Sequence, residues 1–282
     1  MQSLVTGFIL AIVISGLAFW LNALSWNGAL AATLLGTVTF GLGGLEWAVL
    51  LVAFFFSSSA LSRLAKKRKA GIEEKYAKNA RRDAGQVLAN GGVAGLFVLL
   101  HALLPEAAWT WLGFAAALAA ANADTWATEL GVLDPNPPRL ISTGKPVERG
   151  DSGGISPVGL LAAVSGALLI GVLGAVLFPG SAVLALPASA NHPLTFSMIL
   201  AFTLLLGLAG LAGSLVDSLL GATLQAIYYC PACRKETERH PSHTCGTPAT
   251  LLRGMPWLNN DWVNAICTLT AVLVTLGIYM VI

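Results

Sequence analysis

Three carboxylates stand in stretches that otherwise read as lipid-facing. Asp124 lies in Asn122-Ala-Asp124-Thr-Trp-Ala-Thr128-Glu129, Asp217 in Ser214-Leu-Val-Asp217-Ser-Leu-Leu-Gly221, and Asp261 in Asn259-Asn-Asp261-Trp-Val-Asn264. A charged group at bilayer depth costs about 2.5–3.5 kcal/mol even on the forgiving insertion scale, which makes each acid a functional candidate. The polar residues around them recur at helical spacing. Arg82, Gln86 and Asn90 fall at i, i+4 and i+8, as do Asp217, Gly221 and Gln225. Asp124 and Thr128 are four apart with Glu129 close to the same side, and Asn260 and Asp261 face Asn264. Four helices thus bring polar faces to one level, and the expectation is a shared polar cavity that also takes in Asn122. The bland alternative is interhelical glue, which is favoured for a single isolated Asn or Gln. Three carboxylates beside ligand-type amides favour a site.

The stretch after the Asp124 helix supplies cations. Ser142-Thr143-Gly-Lys145-Pro-Val-Glu-Arg149-Gly-Asp-Ser152-Gly153-Gly154 combines two basic side chains with hydroxyls and glycines and then opens a new helix. Glycines let backbone N–H groups approach a ligand, and a helix N-terminus favours anions. The order of a Walker A loop is absent. Beside clustered carboxylates the expectation is phosphate on Ser142, Thr143, Lys145, Arg149, Ser152 and Gly153, with a hard divalent cation on Asp124 and Asp217. Oxygen ligands of this kind suit Mg²⁺.

A third set is softer. Cys230-Pro-Ala-Cys233 precedes His240, His243 and Cys245. The spacing matches tetrahedral zinc, with Cys230, Cys233, His243 and Cys245 as the expected ligands and His240 as the spare. Four protein ligands leave no open position, so the zinc would be structural and would fold a segment too small for its own core. Cys267 lies within an apolar stretch and reads as a small core residue.

The elements that must position these groups are membrane helices. Apolar residues make up 56% of the 282 and charged ones 11%, against about a quarter in soluble domains. No charge occurs from Met1 to Leu45, and His192 is the only ionisable side chain between Ser152 and Val216. A soluble globular protein and a nucleic-acid binder are both excluded by this pattern. All 16 Lys and Arg fall in three segments, Arg63–Arg82, Arg139–Arg149 and Arg234–Arg253, which the positive-inside rule assigns to the cytoplasm. Spans are expected near 4–22, 28–44, 45–62, 85–104, 108–131, 155–178 and 195–228, with one more after Asn259. The expected fold is therefore all-α, a polytopic transmembrane helical bundle of about eight spans forming a single membrane domain over 1–282. Three cytoplasmic segments punctuate it: basic 63–82, the Gly-rich loop 132–154 and the Cys/His loop 229–258. Most of the first cluster reads as a topology anchor against anionic lipid heads.

In combination, several blocks resemble an integral membrane family long catalogued as a domain of unknown function. They are Arg82-Asp-Ala-Gly-Gln86-Val-Leu-Ala-Asn90-Gly, Asn122-Ala-Asp-Thr-Trp-Ala-Thr-Glu129, Ser142-Thr-Gly-Lys-Pro-Val-Glu-Arg-Gly, Gly213-Ser-Leu-Val-Asp217-Ser-Leu-Leu-Gly-Ala-Thr-Leu-Gln225 and Asn260-Asp-Trp-Val-Asn264. That family includes the phytyl-phosphate kinase of tocopherol synthesis. More distantly, Asp124-x₂-Ala-x₃-Gly with the Ile-Ser, Lys and Gly-Gly that come after it is similar to CTP-dependent polyprenol kinases and phosphatidate cytidylyltransferases, departing from the latter at Lys145-Pro-Val-Glu-Arg149. The resemblance implies phosphoryl transfer from a nucleoside triphosphate to an isoprenyl monophosphate; the basic segments put the expected site at the cytoplasmic face, and a prokaryotic cell membrane is the expected location. Asp124, Glu129 and Asp217 would hold metal, and Lys145, Arg149 and Arg82 phosphates. Asn90, Asn122, Asn260, Asp261 and Asn264 would complete the site. The rival readings are lipid cytidylylation and a non-enzymatic membrane transporter.

Overall fold

A computed structural model describes residues 2–65, 81–178 and 195–281. The basic stretch at 66–80 and the Pro/Gly/Ser/Ala-rich connection at 179–194 lie outside the described residues. The helices are α1 (Gln2–Trp20), α2 (Trp26–Val38), α3 (Leu45–Ala65), α4 (Ala84–Leu103), α5 (Ala108–Gly131), α6 (Pro157–Val176), α7 (Phe196–Thr223) and α8 (Asn260–Tyr279). Two short β elements interrupt them: a hairpin of β1 (Arg139–Leu140) with β2 (Gly154–Ile155), and an antiparallel three-stranded ribbon. The ribbon is built from β3 (Ile227–Cys230), β4 (Lys235–Thr237) and β5 (Thr250–Arg253), in the order β4-β3-β5. The Cys/His segment expected as a loop is thus a small folded sheet.

Among the described residues, six helices are long and apolar enough to cross a bilayer: α1, α3, α4, α6, α7 and α8. The other two passes explain why about eight were expected. α2 has 13 residues, roughly 20 Å at 1.5 Å per residue, and runs directly into a five-residue π turn, Thr39–Gly43. α5 has 24 residues but carries Asn122, Asp124 and Glu129 in its last turns. It tolerates them because it is the axis of the bundle, touching α3, α4, α6, α7 and α8, with Ala115 through Ala121 fully buried.

Hydrogen bonds tie the polar ends together. Arg63 Nη2 donates to the Leu21 carbonyl (2.8 Å) and the Ser25 amide to the Arg82 carbonyl (2.9 Å), joining the ends of α1 and α3 to the starts of α2 and α4. Arg253 Nη1 donates to the Gly221 carbonyl (2.9 Å), fastening the ribbon to the end of α7. The described parts of all three basic segments therefore sit at one end of the bundle. The helices that begin there are capped by side chains: α4 by an Asp83/Gln86 capping box, α6 by Ser156 ahead of Pro157, and α8 by Asn259.

Backbones approach closely where side chains are small. A Cβ on Gly210 would meet Ala119 at 2.9 Å, and one on Gly213 would meet the Cys267 carbonyl at 2.6 Å and Ala120 Cβ at 2.9 Å. α7 is thereby seated in the angle between α5 and α8. Gly213→Val should wedge this junction apart, at a cost of about 1–3 kcal/mol for overpacking. A thermal unfolding scan of detergent-purified protein should show the loss, whereas Gly277→Ala, with open space around it, should leave the midpoint unchanged.

Candidate functional site

α5 and α7 run in the same direction, so the contact of Gly213 with Ala120 also fixes the relative position of the next turn on each helix. Four residues on, Asp124 and Asp217 both open into a cleft of about 140 Å³ between α5, α6, α7 and the start of α8. The two carboxylates, with Glu238, are near enough for their charges to interact. Asp217 Oδ2 is sealed from solvent and has no hydrogen-bond partner among the described residues. A buried carboxylate oxygen left unpaired is costly, and a bound cation or a proton would satisfy it. Paired hard oxygens with an orphaned lone pair fit a divalent metal.

The loop closes the cleft from the end of the bundle. Arg149, Gly150, Asp151, Ser152, Gly153 and Gly154 line it, with Gln225, Asn260 and Glu238 completing the wall. Gly153 has φ +85°, and a Cβ placed there would collide with the Ala222 backbone of α7. Arg149 is held by donating Nη2 to the carbonyls of Asp134 (2.6 Å) and Pro135 (2.9 Å). Asp134 is itself buried and accepts from the amides of Asn136 (3.0 Å) and Val158 (3.2 Å). Those amide bonds, with further ones from the side chains of Asn136 and Ser156, hold its carboxyl below the usual range.

Of the residues expected in the site, Asp124, Asp217, Arg149, Ser152, Gly153, Gln225 and Asn260 come together in this cleft. Others do not. Asn122 is fully buried glue: its Oδ1 accepts from Ser57 and Ser58 (both 3.0 Å) and its Nδ2 donates to the Gly166 carbonyl (2.8 Å). Glu129 is five residues from Asp124, which at about 100° per residue turns it to the opposite flank of α5. There its Oε1 accepts from Ser62 (2.9 Å) and its charge faces Arg82. Arg82, Gln86 and Asn90 line a separate, almost wholly apolar cavity of about 70 Å³ among α1–α4, with the Arg82 guanidinium over Phe54 and Phe55. Gln86 is occupied in the capping box, and Asn90 Nδ2 donates to the Gln86 carbonyl (3.0 Å). Ser142, Thr143 and Lys145 form the exposed tip of the β1–β2 hairpin, away from the cleft. Asp261 and Asn264 lie beyond its wall in α8; the Asp261 amide caps onto Asn259. The single shared cavity expected from four stripes is therefore two cavities on opposite flanks of α5.

Two cleft acids were not singled out in the sequence. Asp151 sits within the Gly-rich loop but looked like one charge among several. Glu238 lies in Lys235-Glu-Thr-Glu-Arg239, which reads as a solvated strand and turn. Its Oε1 accepts from Ser152 Oγ (2.8 Å) and Gln225 Nε2 (2.9 Å). The nearest signal was its position five residues from both Cys233 and His243.

The thiol and imidazole atoms of Cys230, Cys233, His243 and Cys245 all lie within 4.8 Å of one another, a group able to hold a metal ion. Cys230 Sγ is 3.5 Å and His243 Nδ1 3.4 Å from Cys245 Sγ, near the ligand–ligand spacing of about 3.7 Å that 2.3 Å metal–sulfur bonds produce in a tetrahedron. Hydrogen bonds, first from Thr247 and then from His243, bring the Cys245 thiol down to about 5. Its bond to Cys233 pushes that thiol up to about 11. His240 stacks on Tyr228 at 4.6 Å and stays outside the group.

The fold and the cleft define a polytopic integral membrane protein with an acidic pocket at one end of its bundle. The chain belongs to the integral membrane protein family DUF92, which matches residues 9–272. It is 32% identical over 280 residues to Protein PGR of Arabidopsis thaliana, covering 93% of this chain and 92% of that one. It is 32% identical over 231 residues to an uncharacterized membrane protein of Methanocaldococcus jannaschii, covering 80% and 86% of the two chains. A Synechocystis membrane protein, also uncharacterized, is 28% identical over 291 residues, covering 98% and 93%. No solved structure matches.

Two outcomes test the assignments to packing. Asn122→Ala removes the partner of the Ser58 hydroxyl and breaks the bonds to Ser57 and the Gly166 carbonyl, and should lower stability by about 1–3 kcal/mol in a detergent unfolding assay. Asp134 has a lowered folded pKa, so its contribution is present above the ordinary carboxylate value of about 4 and is lost as pH falls through the lowered one. Asp134→Asn should therefore weaken the protein at neutral pH, and the gap to the parent should close on acidification of the same assay.

Proposed function

We propose that the protein is a membrane lipid-phosphate kinase. In this reading it moves a phosphoryl group from a nucleoside triphosphate to an isoprenyl monophosphate such as phytyl, farnesyl or geranylgeranyl phosphate. The observation that carries the reading is the meeting of Asp124 and Asp217 across a cleft roofed by Arg149 and a glycine-rich loop. Mg²⁺, when bound, would supply positive charge that offsets the charge developing during transfer. Asp124 and Asp217 would hold it. Arg149 and the Gly150–Gly154 backbone face the space left for phosphates, and Asn260 adds an amide.

The transfer needs little else from the chain. An oxygen of the acceptor monophosphate attacks the γ-phosphorus, the bond from that phosphorus to the bridging oxygen breaks, and a nucleoside diphosphate leaves. The acceptor phosphate has its second pKa near 6, so its oxygen is largely ionised at neutral pH and requires no general base. A cleft lined by no histidine is consistent with that demand. Its place at the end of a lipid-facing bundle suits a substrate with a greasy tail and a charged head. The basic residues gathered at this end support a cytoplasmic orientation for it. The Cys/His group is read as a structural Zn²⁺ site, since it offers a full tetrahedral set of four ligands. Polar groups concentrated at one end, rather than at mid-membrane on paired broken helices, weigh against a transporter.

Purified protein given Mg²⁺, a nucleoside triphosphate and one of the three acceptors should form the diphosphate and release nucleoside diphosphate. Asp124→Asn and Asp217→Asn should each lower turnover by at least about 10²-fold, the usual scale for removing a principal electrostatic group. Release of pyrophosphate instead would identify lipid cytidylylation. Failure with every acceptor and donor, together with intact phenotypes for both variants, would exclude phosphoryl transfer.

A further inference from the structure

The acidic cleft and the Cys/His group are joined through Glu238. Glu238 lines the cleft with Asp124 and Asp217, and its charge adds to that of Asp217. Four acids (Asp124, Asp151, Asp217 and Glu238) meet there against Arg149, the one formal cation among the lining residues. One oxygen of the Glu238 carboxylate accepts from two donors, Ser152 on the loop and Gln225 just past α7. A solvent-exposed strand residue would have no reason to meet two buried-side donors at 2.8 and 2.9 Å.

What delivers Glu238 is the ribbon. It comes directly after β4, and β4 pairs with β3 in the register Tyr228–Thr237, Tyr229–Glu236 and Cys230–Lys235. The turn joining these strands is the Cys230-Pro-Ala-Cys233 segment, closed by Arg234 in the left-handed region at φ +53°. A slip of one residue in that register would send the side chains at the end of β4 to the opposite face. A ribbon of 11 strand residues has almost no core with which to resist such a slip. The ligand group resists it: Cys230 and Cys233 hold the chain before Glu238, His243 and Cys245 hold it after, and the ligand atoms lie within 4.8 Å of one another.

We propose that Glu238 is a third carboxylate ligand of the cleft cation, and that metal in the Cys/His group sets its position. The two metal sites are then one device, a soft-ligand clamp outside the bundle supporting a hard-ligand site inside it. The divalent character of the cleft ion is shared with the function proposed above; the role of Glu238 does not depend on the reaction. Loss of an outer support of this kind typically weakens metal affinity 10- to 100-fold.

The test uses Mn²⁺ as an EPR probe of the cleft in full-length purified protein, with no nucleotide or lipid present, and zinc content measured on the same samples. Glu238→Gln should weaken Mn²⁺ binding by about 10- to 100-fold while zinc content stays at that of the parent. Stripping the parent with a zinc-selective chelator should weaken Mn²⁺ binding similarly, and zinc added back should restore it. That arm requires no Cys variant to fold. Asp124→Asn should lose Mn²⁺ binding and keep zinc, showing that the dependence runs one way. Unchanged Mn²⁺ affinity in Glu238→Gln, or full affinity after zinc removal, overturns the proposal and leaves the kinase reading standing. Absence of turnover with intact Mn²⁺ and zinc dependence overturns the kinase reading and leaves this one.

Discussion

The structure depends on how closely α7 approaches α5. Gly210 lies on Ala119 and Gly213 on Ala120, with no side chain between the backbones, while Gly213 also abuts the Cys267 carbonyl of α8. Among membrane helices, small residues permit this contact where hydrophobic association gives no drive. Because the helices run in parallel, one further turn on each carries the contact to Asp124 and Asp217. A larger residue at Gly213 or Ala120 would move the acids apart before it touched either of them. The cleft is thus a consequence of alanine and glycine placement several ångströms away from it.

Burial then separates polar residues that look alike in sequence. Asn122 and Asp124 are two apart on one helix, yet they meet opposite fates. Asn122 finds two serine hydroxyls and a carbonyl, and its polarity goes into holding α3, α5 and α6 together. Asp217, facing Asp124, keeps an oxygen that no described residue partners. In a low-dielectric interior the satisfied amide adds rigidity, while the unsatisfied carboxylate leaves room for a cation. That difference makes the cleft a better candidate site than the presence of charge alone would.

The one-sided charge of the chain divides the same way. Arg149 reaches the cleft because two carbonyls pin its guanidinium; Lys145, four residues earlier, projects from the hairpin tip. Arg82 leads into a helix stripe that by spacing alone points at the acids, but α5 stands between them, and its guanidinium lies on two phenylalanine rings beside Glu129. The spacing rules of an isolated helix were sound in each case. They say which residues share a face, and they are silent on which neighbour that face meets. Glu238 shows the reverse failure, a residue with no helical spacing at all that reaches the cleft because a ribbon folds back over the end of α7.

By itself the sequence determined the class of protein, the grouping of its basic residues into a few segments, the four polar helix stripes and the four members of the Cys/His group. These are properties of composition and short-range spacing, which the bilayer and metal geometry constrain locally. Only the tertiary structure decided that the polar stripes serve two cavities, that Asn122 and Glu129 are structural partners, and that Glu238 joins Asp124 and Asp217. Each of those outcomes turns on the direction in which one helix faces another, set by small-residue contacts and strand register between segments distant in the chain. Periodicity measures angle about a single axis, and the position of that axis among its neighbours is a matter of packing.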